Sequence, residues 1–218
     1  YDLPTSPARF GDGGHYRIEI PSVEGPAALA AALDEAARRG VRLHRVSQGS
    51  GMMLLTGSEL RDMAALGAEH QVEVSLFVGP RAAWEGTGQP LTPDGKLLGA
   101  RHTGMDQLAY AFEDIVRGVE AGIRSILVAD EGLLWLVNEG RRRGVLPANL
   151  VVKGSALLGA ANPLGIKLLQ DNGLDTINAA SDISLPRLAA LRAVISIPID
   201  LYIEGPDGLG GFTRCYEM

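Results

Sequence analysis

The sequence predicts an α/β protein built as a (β/α)₈ barrel of the TIM type. Short runs of β-branched or aliphatic residues recur along the chain, and each of the first six precedes a segment with helical periodicity. The runs begin near Tyr16, Leu43, Val72, Arg124, Asn149, Asp175 and Ile197. Alternation of strands and helices in this order is typical of a parallel sheet covered by helices.

The strand sequences favour a barrel over an open doubly wound sheet. Central strands of an open sheet contact helices on both faces and are apolar throughout, whereas most strands of this chain alternate. In the first strand, Ile18 and Ile20 alternate with Arg17 and Glu19. We expect the aliphatic set to contact the outer helices and the polar set to point inward. The strand near Arg124 is the least polar, and its sequence leaves open which of its two alternating sets of side chains points inward.

Charges of both signs belong to the polar set, so we expect ion pairs across the barrel interior. The basic members are Arg17, Arg45 and Lys153, and the acidic members are Glu19, Glu73, Asp200 and Glu204.

Helix boundary signals support the same order of elements. Thr56 and Glu59 form a capping-box pattern, and Asn162 is a cap that precedes Pro163 at the first helical position. Glycines close four helices, at Gly40, Gly122, Gly144 and Gly173. The strand spacing is interrupted only by residues 81–103, which are rich in Gly and Pro and show no periodicity. Long loops of this kind are usually functional or disordered, and we interpret this one as a lid.

Length indicates one barrel domain over residues 1–218 that is incomplete at its C-terminal end. A full (β/α)₈ chain has about 250 residues, and this chain has 218. We expect the eighth unit to be missing. The first and seventh strands would then have open edges, which a partner or a second copy could cover.

Composition excludes several classes of function. The net charge is −6, so the chain lacks the basic surface that binds nucleic acid or an anionic membrane. Cys215 is the only cysteine. This rules out a disulfide within the chain, and it rules out a zinc or iron–sulfur site whose ligands are all cysteines of this chain. No apolar run reaches the roughly 18 residues of a membrane span, and residues 1–10 lack a signal-peptide core. We expect a cytoplasmic protein that binds a small molecule or a peptide.

Reactive groups of such barrels lie at the C-terminal ends of the strands. Glu19, Lys153 and Glu204 are the candidate catalytic residues, because paired carboxylates suit acid/base chemistry and a cation stabilises an anion. The candidate substrate ligands are Ser47, Gln48, Arg81, His102, Asn178 and Tyr202. This set predicts acid/base chemistry on a small polar or anionic substrate.

Lys153 leaves other interpretations open. An enclosed lysine with a lowered pKa could form a Schiff base with a carbonyl substrate, as in a lyase or aldolase. An ion pair with Glu19 or Glu204 is the alternative that we favour. The chain could also be a non-catalytic binding or assembly subunit with a structural polar interior. An empty pocket lined by these three residues would favour an enzyme, and tightly paired charges would favour the subunit.

No cofactor is predicted. Four carboxylates could bind a divalent cation if they converged, as hard oxygen ligands do; they are Asp130, Glu131, Asp182 and Glu204. Helix capping is the commoner role of an acid at the positions of Asp130 and Asp182.

The stretch 202–215 resembles the signature of the collagenase-like peptidases of family U32, whose catalytic type is unknown. The positions that fit its glycine turn and Arg-Cys pair are Gly205, Arg214 and Cys215. Two positions depart, since Glu204 replaces a usual histidine and Gly208 a usual cysteine. The resemblance implies a barrel hydrolase of peptidase type. The chain lacks the serine, cysteine–histidine and zinc motifs of other peptidases.

Overall fold

The computed structural model describes residues 5–181 and 183–203, which form a curled half-barrel of seven parallel strands. The strands are β1 (Glu19–Ile20), β2 (Arg45–Gln48), β3 (Glu73–Phe77), β4 (Ser125–Val128), β5 (Val151–Gly154), β6 (Thr176–Asn178) and β7 (Ile199–Asp200). The helices are α1 (Pro26–Arg38), α2 (Gly57–His70), α3 (Gly104–Glu120), α4 (Glu131–Arg142), α5 (Pro163–Asp171) and α6 (Leu185–Val194). Each helix follows the strand of the same number, so the predicted order is confirmed.

The strand register decides which side chains share the inner face. Each strand pairs in parallel with the next in sequence. Glu19 lies opposite Arg45, which in turn lies opposite Glu73. On the other side of the barrel, Leu127 lies opposite Lys153. Because neighbours in register point to the same face, five of the seven predicted charged residues are on the inner face: Glu19, Arg45, Glu73, Lys153 and Asp200. Ser125 and Leu127 are the inward residues of β4, which the sequence left open.

The aliphatic set faces the helices. Ile126, Val152 and Ile177 are fully buried in a core cluster that includes residues of α4 and α5. A second cluster joins Val46 and Leu76 to α1 and α2. Full burial of one such side chain stabilises the fold by about 1.5–3 kcal/mol. The helices are therefore attached to the outside of the barrel by the residues that alternate with the polar set.

The helix ends follow the predicted signals. Thr56 and Glu59 form both bonds of the capping box, and the Asn162 side chain accepts a hydrogen bond from the Gly165 amide. Asp130 caps α4 by accepting from the Leu133 amide. The four helix-closing glycines all have positive φ, a conformation that glycine adopts without a steric penalty.

Residues 81–103 are more structured than the sequence predicts. They contain three short 3₁₀ helices, at Ala82–Trp84, Gln89–Leu91 and Lys96–Ala100, which pack on one another. Ala100 joins an apolar cluster with Phe77, Leu127 and Ala129 at the C-terminal ends of β3 and β4. The aperiodic sequence concealed this because 3₁₀ helices are too short to show a repeat.

The two edge strands, β1 and β7, stand at opposite ends of the strand order, and no pairing joins them within the described ranges. Ile20 and Leu201 are exposed, at 38% and 43%. An additional unit or a partner between these strands stays a prediction. Among the helices described, none has the length and apolar character needed to cross a membrane.

Candidate functional site

A network of charged side chains crosses the interior of the half-barrel, and Lys153 is at its centre. The Lys153 ammonium donates to both carboxylate oxygens of Glu19, with Nζ to Oε1 and Oε2 distances of 2.5 and 2.6 Å. Its distance to Asp200 Oδ2 is 3.5 Å. Lys153 is 1% exposed. The strand β5 thus contributes a buried cation that bonds to β1 across the interior.

Arg45 of β2 joins the remaining carboxylates to this pair. Its guanidinium is 2.9 Å from Glu73, 3.1 Å from Asp200 and 3.3 Å from Glu19. The network, which we call the lumen network, therefore contains two cations and three carboxylates. Arg17, which the sequence placed with them, instead pairs with Asp12 at 2.7 Å and stacks on Phe10.

The lumen network favours the charged forms of Glu19 and Arg45. Burial acts to raise the pKa of Glu19, but the Lys153 ammonium, the Ser47 hydroxyl and Arg45 outweigh it, so the pKa is below its usual range. Burial likewise acts to lower the pKa of Arg45, and the carboxylates of Asp200, Glu73 and Glu19 raise it further than burial lowers it. Opposite charges within about 4–6 Å favour the charged forms. Glu19 is consequently a carboxylate at neutral pH.

Hydroxyl groups complete several of these contacts. Ser47 donates to Glu19 Oε1 at 2.6 Å, and Ser125 donates to Glu73 Oε1 at 2.7 Å. Thr176 donates to Asp200 Oδ2 at 2.9 Å. Ser75 lies between Ser47 and Ser125 in the register. Its buried hydroxyl has no partner among the described residues. Ser75 was not among the predicted site residues, although its inward position follows from the alternation of β3.

Asn178 and Tyr202 adjoin the network from β6 and the residues after β7. Asn178 is opposite Asp200 in the register, and in the described part of the chain its side-chain amide makes no hydrogen bond although it is 7% exposed. Burial raises the pKa of Tyr202, and the charges of Glu19 and Asp200 raise it further. Glu204, the third predicted catalytic residue, lies outside the described residues. Glu19 and Lys153 are therefore brought together, beside two predicted ligands.

Two further predicted ligands contact the loop after β2, Gln48 from the end of β2 and Arg81 from the segment after β3. Gln48 donates to Ser50 Oγ and the Gly51 carbonyl and accepts from the Gly51 amide, so its side chain organises its own loop. The Arg81 guanidinium donates to the Ser50 carbonyl at 2.5 Å and lies over two aromatic rings, Phe77 at 4.2 Å and Trp84 at 4.9 Å. Arg81 Nε is buried without a partner in the part of the chain that is described.

The last predicted ligand, His102, lies at the end of the 81–103 segment. Its Nδ1 is 2.8 Å from the Pro80 carbonyl, and its amide donates to Asp130 Oδ2 at 3.2 Å. Burial lowers the pKa of His102; the Asp130 charge and the bond to Pro80 oppose burial, whereas Arg81 adds to the lowering. The ring is thus held by the backbone of the preceding turn.

Two of the four carboxylates that could bind a cation lie in the described ranges, and each has another partner there. Asp130 caps α4, and Glu131 pairs with Arg101. Asp182 and Glu204 lie outside those ranges. No group of three or more potential ligands was found among residues 5–181 and 183–203.

Sequence reasoning also missed a clamp on α3. Asp114, which is 4% exposed, accepts from Arg117 at 2.8 Å and from the Gly79 amide. Arg117 also donates to the Leu55 and Met52 carbonyls at 2.9 Å. This pair joins the loop after β2 to the end of β3. The i,i+3 spacing of an acid and an arginine was its only signal.

The comparisons with known proteins give the fold. No protein-family model and no curated protein sequence matches the chain. A solved U32 peptidase resembles it with a TM-score of 0.57 and 13% identity, over 96% of this chain and 79% of that one. The YdjI aldolase from Escherichia coli K12 resembles it with a TM-score of 0.54 and 15% identity, over 86% of this chain and 66% of that one. For the 4-hydroxy-tetrahydrodipicolinate synthase from Methylacidiphilum fumariolicum the TM-score is 0.50 and the identity 10%, over 83% of this chain and 59% of that one. At these identities the likeness shows a TIM-barrel type of fold.

Proposed function

We propose that the chain forms most of a barrel enzyme that acts by acid/base chemistry on a small polar or anionic substrate. The observation that carries this proposal is the buried Lys153–Glu19 pair beside Asn178, whose amide is unpaired in the described part of the chain. Ligand sites use a few polar groups to fix a ligand's orientation, so an amide that the described residues leave free next to charged groups suits a ligand. The fold itself does not select the reaction, because unrelated functions share it.

In this proposal Lys153 stabilises negative charge on the substrate and Glu19 exchanges a proton. A carboxylate with a low pKa is a weak base, and general bases work best with a pKa near the working pH. An anionic substrate that drew the Lys153 ammonium away from Glu19 would remove the main stabilising charge of that carboxylate. Its pKa would then rise toward the useful range. Substrate binding would thus activate the base.

Asn178→Ala tests the binding role with little risk to the fold. The Asn178 side chain makes no hydrogen bond within the described ranges, so we expect the free energy of unfolding to change by less than about 1 kcal/mol. A panel of small carboxylic acids, amino acids and dipeptides would be titrated into the wild type and the variant by calorimetry. We expect at least one compound to bind, and to bind about tenfold more weakly to the variant.

Asn149→Ala is the matched control, since Asn149 is exposed just before the start of β5. It should bind the compound as the wild type does. If no compound in the panel binds, or if Asn178→Ala binds as tightly as the wild type, the proposal is wrong.

A second candidate is a non-catalytic binding or assembly subunit, and the tight pairing within the lumen network favours it. Every charged member contacts an opposite charge at 3.5 Å or less, as expected for a structural interior. A pull-down that recovers a stoichiometric partner, from cells in which the Glu19→Gln protein still supports function, would establish this candidate over the enzyme.

A Schiff-base lyase or aldolase needs an uncharged lysine amine with a free electron pair. Lys153 instead directs its N–H groups at both oxygens of Glu19. We therefore expect no adduct at Lys153 after borohydride treatment with a pool of carbonyl substrates. Peptide mapping by mass spectrometry would detect one.

A further inference from the structure

Glu24 occupies a set of hydrogen-bond donors in the loop that follows β2. Its carboxylate accepts from the Gly49 amide at 3.2 Å, from the Ser50 amide at 3.3 Å and from the Ser50 hydroxyl. Glu24 itself is exposed and lies between β1 and α1. An exposed side chain therefore fills three convergent donors at the C-terminal end of a barrel strand.

The donors are fixed by residues around them. Gln48 donates to Ser50 Oγ at 2.9 Å, which directs the Ser50 hydroxyl toward Glu24. The same side chain bonds both backbone groups of Gly51, whose φ of +136° would strain any other residue. The donor geometry thus does not depend on Glu24 alone.

Arg81 adds positive charge to this loop from the opposite side. It donates to the Gly49 carbonyl at 3.4 Å and to the Ser50 carbonyl at 2.5 Å. The Gly49 carbonyl and the Ser50 amide belong to one peptide group, so Arg81 polarises a donor that Glu24 accepts from. Within the described ranges Arg81 makes no direct ion pair, and its Nε has no partner there. Burial lowers the pKa of Arg81 and the Glu24 carboxylate opposes that lowering, so the carboxylate that occupies these donors already interacts with the guanidinium.

We propose that Gly49, Ser50 and Arg81 form a site for an anionic group, a phosphate or a carboxylate, and that Glu24 is its displaceable internal occupant. Consecutive backbone amides with a hydroxyl are a common cradle for such groups. Rotation of the Glu24 side chain alone would free all three donors. The inference deepens the proposed function, because this site would bind the anionic group of the substrate. To that extent it rests on the proposed function.

Glu24→Gln tests the occupant role, because the amide has the same shape without the charge that strengthens these bonds. Inorganic phosphate would be titrated at constant ionic strength, and the Gly49 and Ser50 amides followed by ¹H–¹⁵N NMR. We expect Glu24→Gln to bind phosphate at least about tenfold more tightly than the wild type, which corresponds to about 1.4 kcal/mol of competition. The shifts should concentrate on these two amides.

Glu69→Gln is the matched control, with the same change of charge at an exposed position of α2. It should behave as the wild type. The Gly51 amide, which Gln48 holds, reports whether the loop keeps its shape in each variant. Glu24→Asp retains the charge on a shorter side chain and should bind phosphate with an intermediate affinity.

Equal affinities of Glu24→Gln and the wild type would overturn the proposal, as would shifts scattered over surface arginines. A different rank order of the three proteins would also overturn it. Because the readout is phosphate binding, a negative result leaves the Asn178 test unaffected. A positive result likewise stands if no substrate is found in that test.

Discussion

Substitution of Lys153 by methionine tests whether the lumen network is held by a buried ion pair. Methionine matches the length of the lysine stem but removes the ammonium, which leaves three carboxylates facing Arg45 alone. Loss of one partner of a buried pair typically costs 3–5 kcal/mol. Glu19 retains the bond from Ser47 at 2.6 Å and the contact with Arg45 at 3.3 Å. We therefore expect Lys153→Met to lower the free energy of unfolding by about 3 kcal/mol, the lower end of this range.

Urea denaturation of five proteins would measure this cost: the wild type, Lys153→Met, Glu19→Gln, the double variant and Lys167→Met. Removing both charges, in Lys153→Met with Glu19→Gln, should recover about 2 kcal/mol, because the remaining partner is no longer an unpaired buried charge. Lys167→Met is the matched control. Lys167 and Asp171 form an exposed i,i+4 pair, which is worth about 0.3–0.5 kcal/mol. The urea midpoints would be compared among variants with the same m-value, the slope of the unfolding free energy against urea concentration.

The pH dependence provides an independent check. The pKa of Glu19 is lowered in the folded state. Its stabilising contribution is therefore present above its unfolded pKa, about 4.3, and is lost as pH falls through the folded value. The difference between wild type and Lys153→Met should shrink below about pH 4. If Lys153→Met costs no more than Lys167→Met, or if the double variant loses the sum of the single losses, the ion-pair account is refuted.

Three further predictions concern the supports of the site. Gly51→Ala should destabilise the fold by about 2 kcal/mol, because its Cβ would come 2.6 Å from the Trp84 ring at a positive φ; Trp84 fluorescence and thermal unfolding would report it. Thr56→Ala should cost about 1 kcal/mol through loss of the capping box with Glu59, measured as a lower urea midpoint. Burial and two nearby arginines lower the pKa of His44. Stability should therefore fall as pH drops below about 6.5, and His44→Asn should remove that component of the urea midpoint's pH dependence.

Each of these predictions has a contrary outcome. An unchanged fluorescence maximum and melting temperature in Gly51→Ala would mean that Trp84 is not seated on that glycine. A Thr56→Ala protein as stable as the wild type would show that the cap is redundant. Persistence of the full acid loss between pH 7 and 5 in His44→Asn would assign that loss to other groups.

The local signals in the sequence were sufficient for the order of the elements. Alternation of Ile18 and Ile20 with Arg17 and Glu19 marked the inner and outer faces of β1. The Thr56 and Asn162 caps marked helix starts, because capping depends on residues within one turn of each other. Burial of the aliphatic residues of β2 to β6 against the helices then follows from the strand period, whereas Ile18 and Ile20 at the edge of the sheet stay exposed.

Contacts between distant residues were not accessible in the same way. The sequence allowed Lys153 to pair with Glu19 or Glu204, and the structure shows the pair with Glu19, because β1 faces β5 across the interior; Glu204 lies outside the described residues. It offered Gln48 as a ligand, whereas that amide is used within its own loop. The packing of residues 81–103 was also hidden, since it depends on Trp84 meeting Gly51 of the loop after β2 and Gly79 just after β3.

The sequence by itself determined that the chain is a β/α barrel with charges of both signs inside, because strand period and capping are local properties. Only the tertiary structure decided which charges meet, which polar groups remain unpaired and that Glu24 occupies the loop after β2. These depend on the register and curvature of seven strands, which bring together side chains more than a hundred residues apart, as Lys153 and Glu19 are.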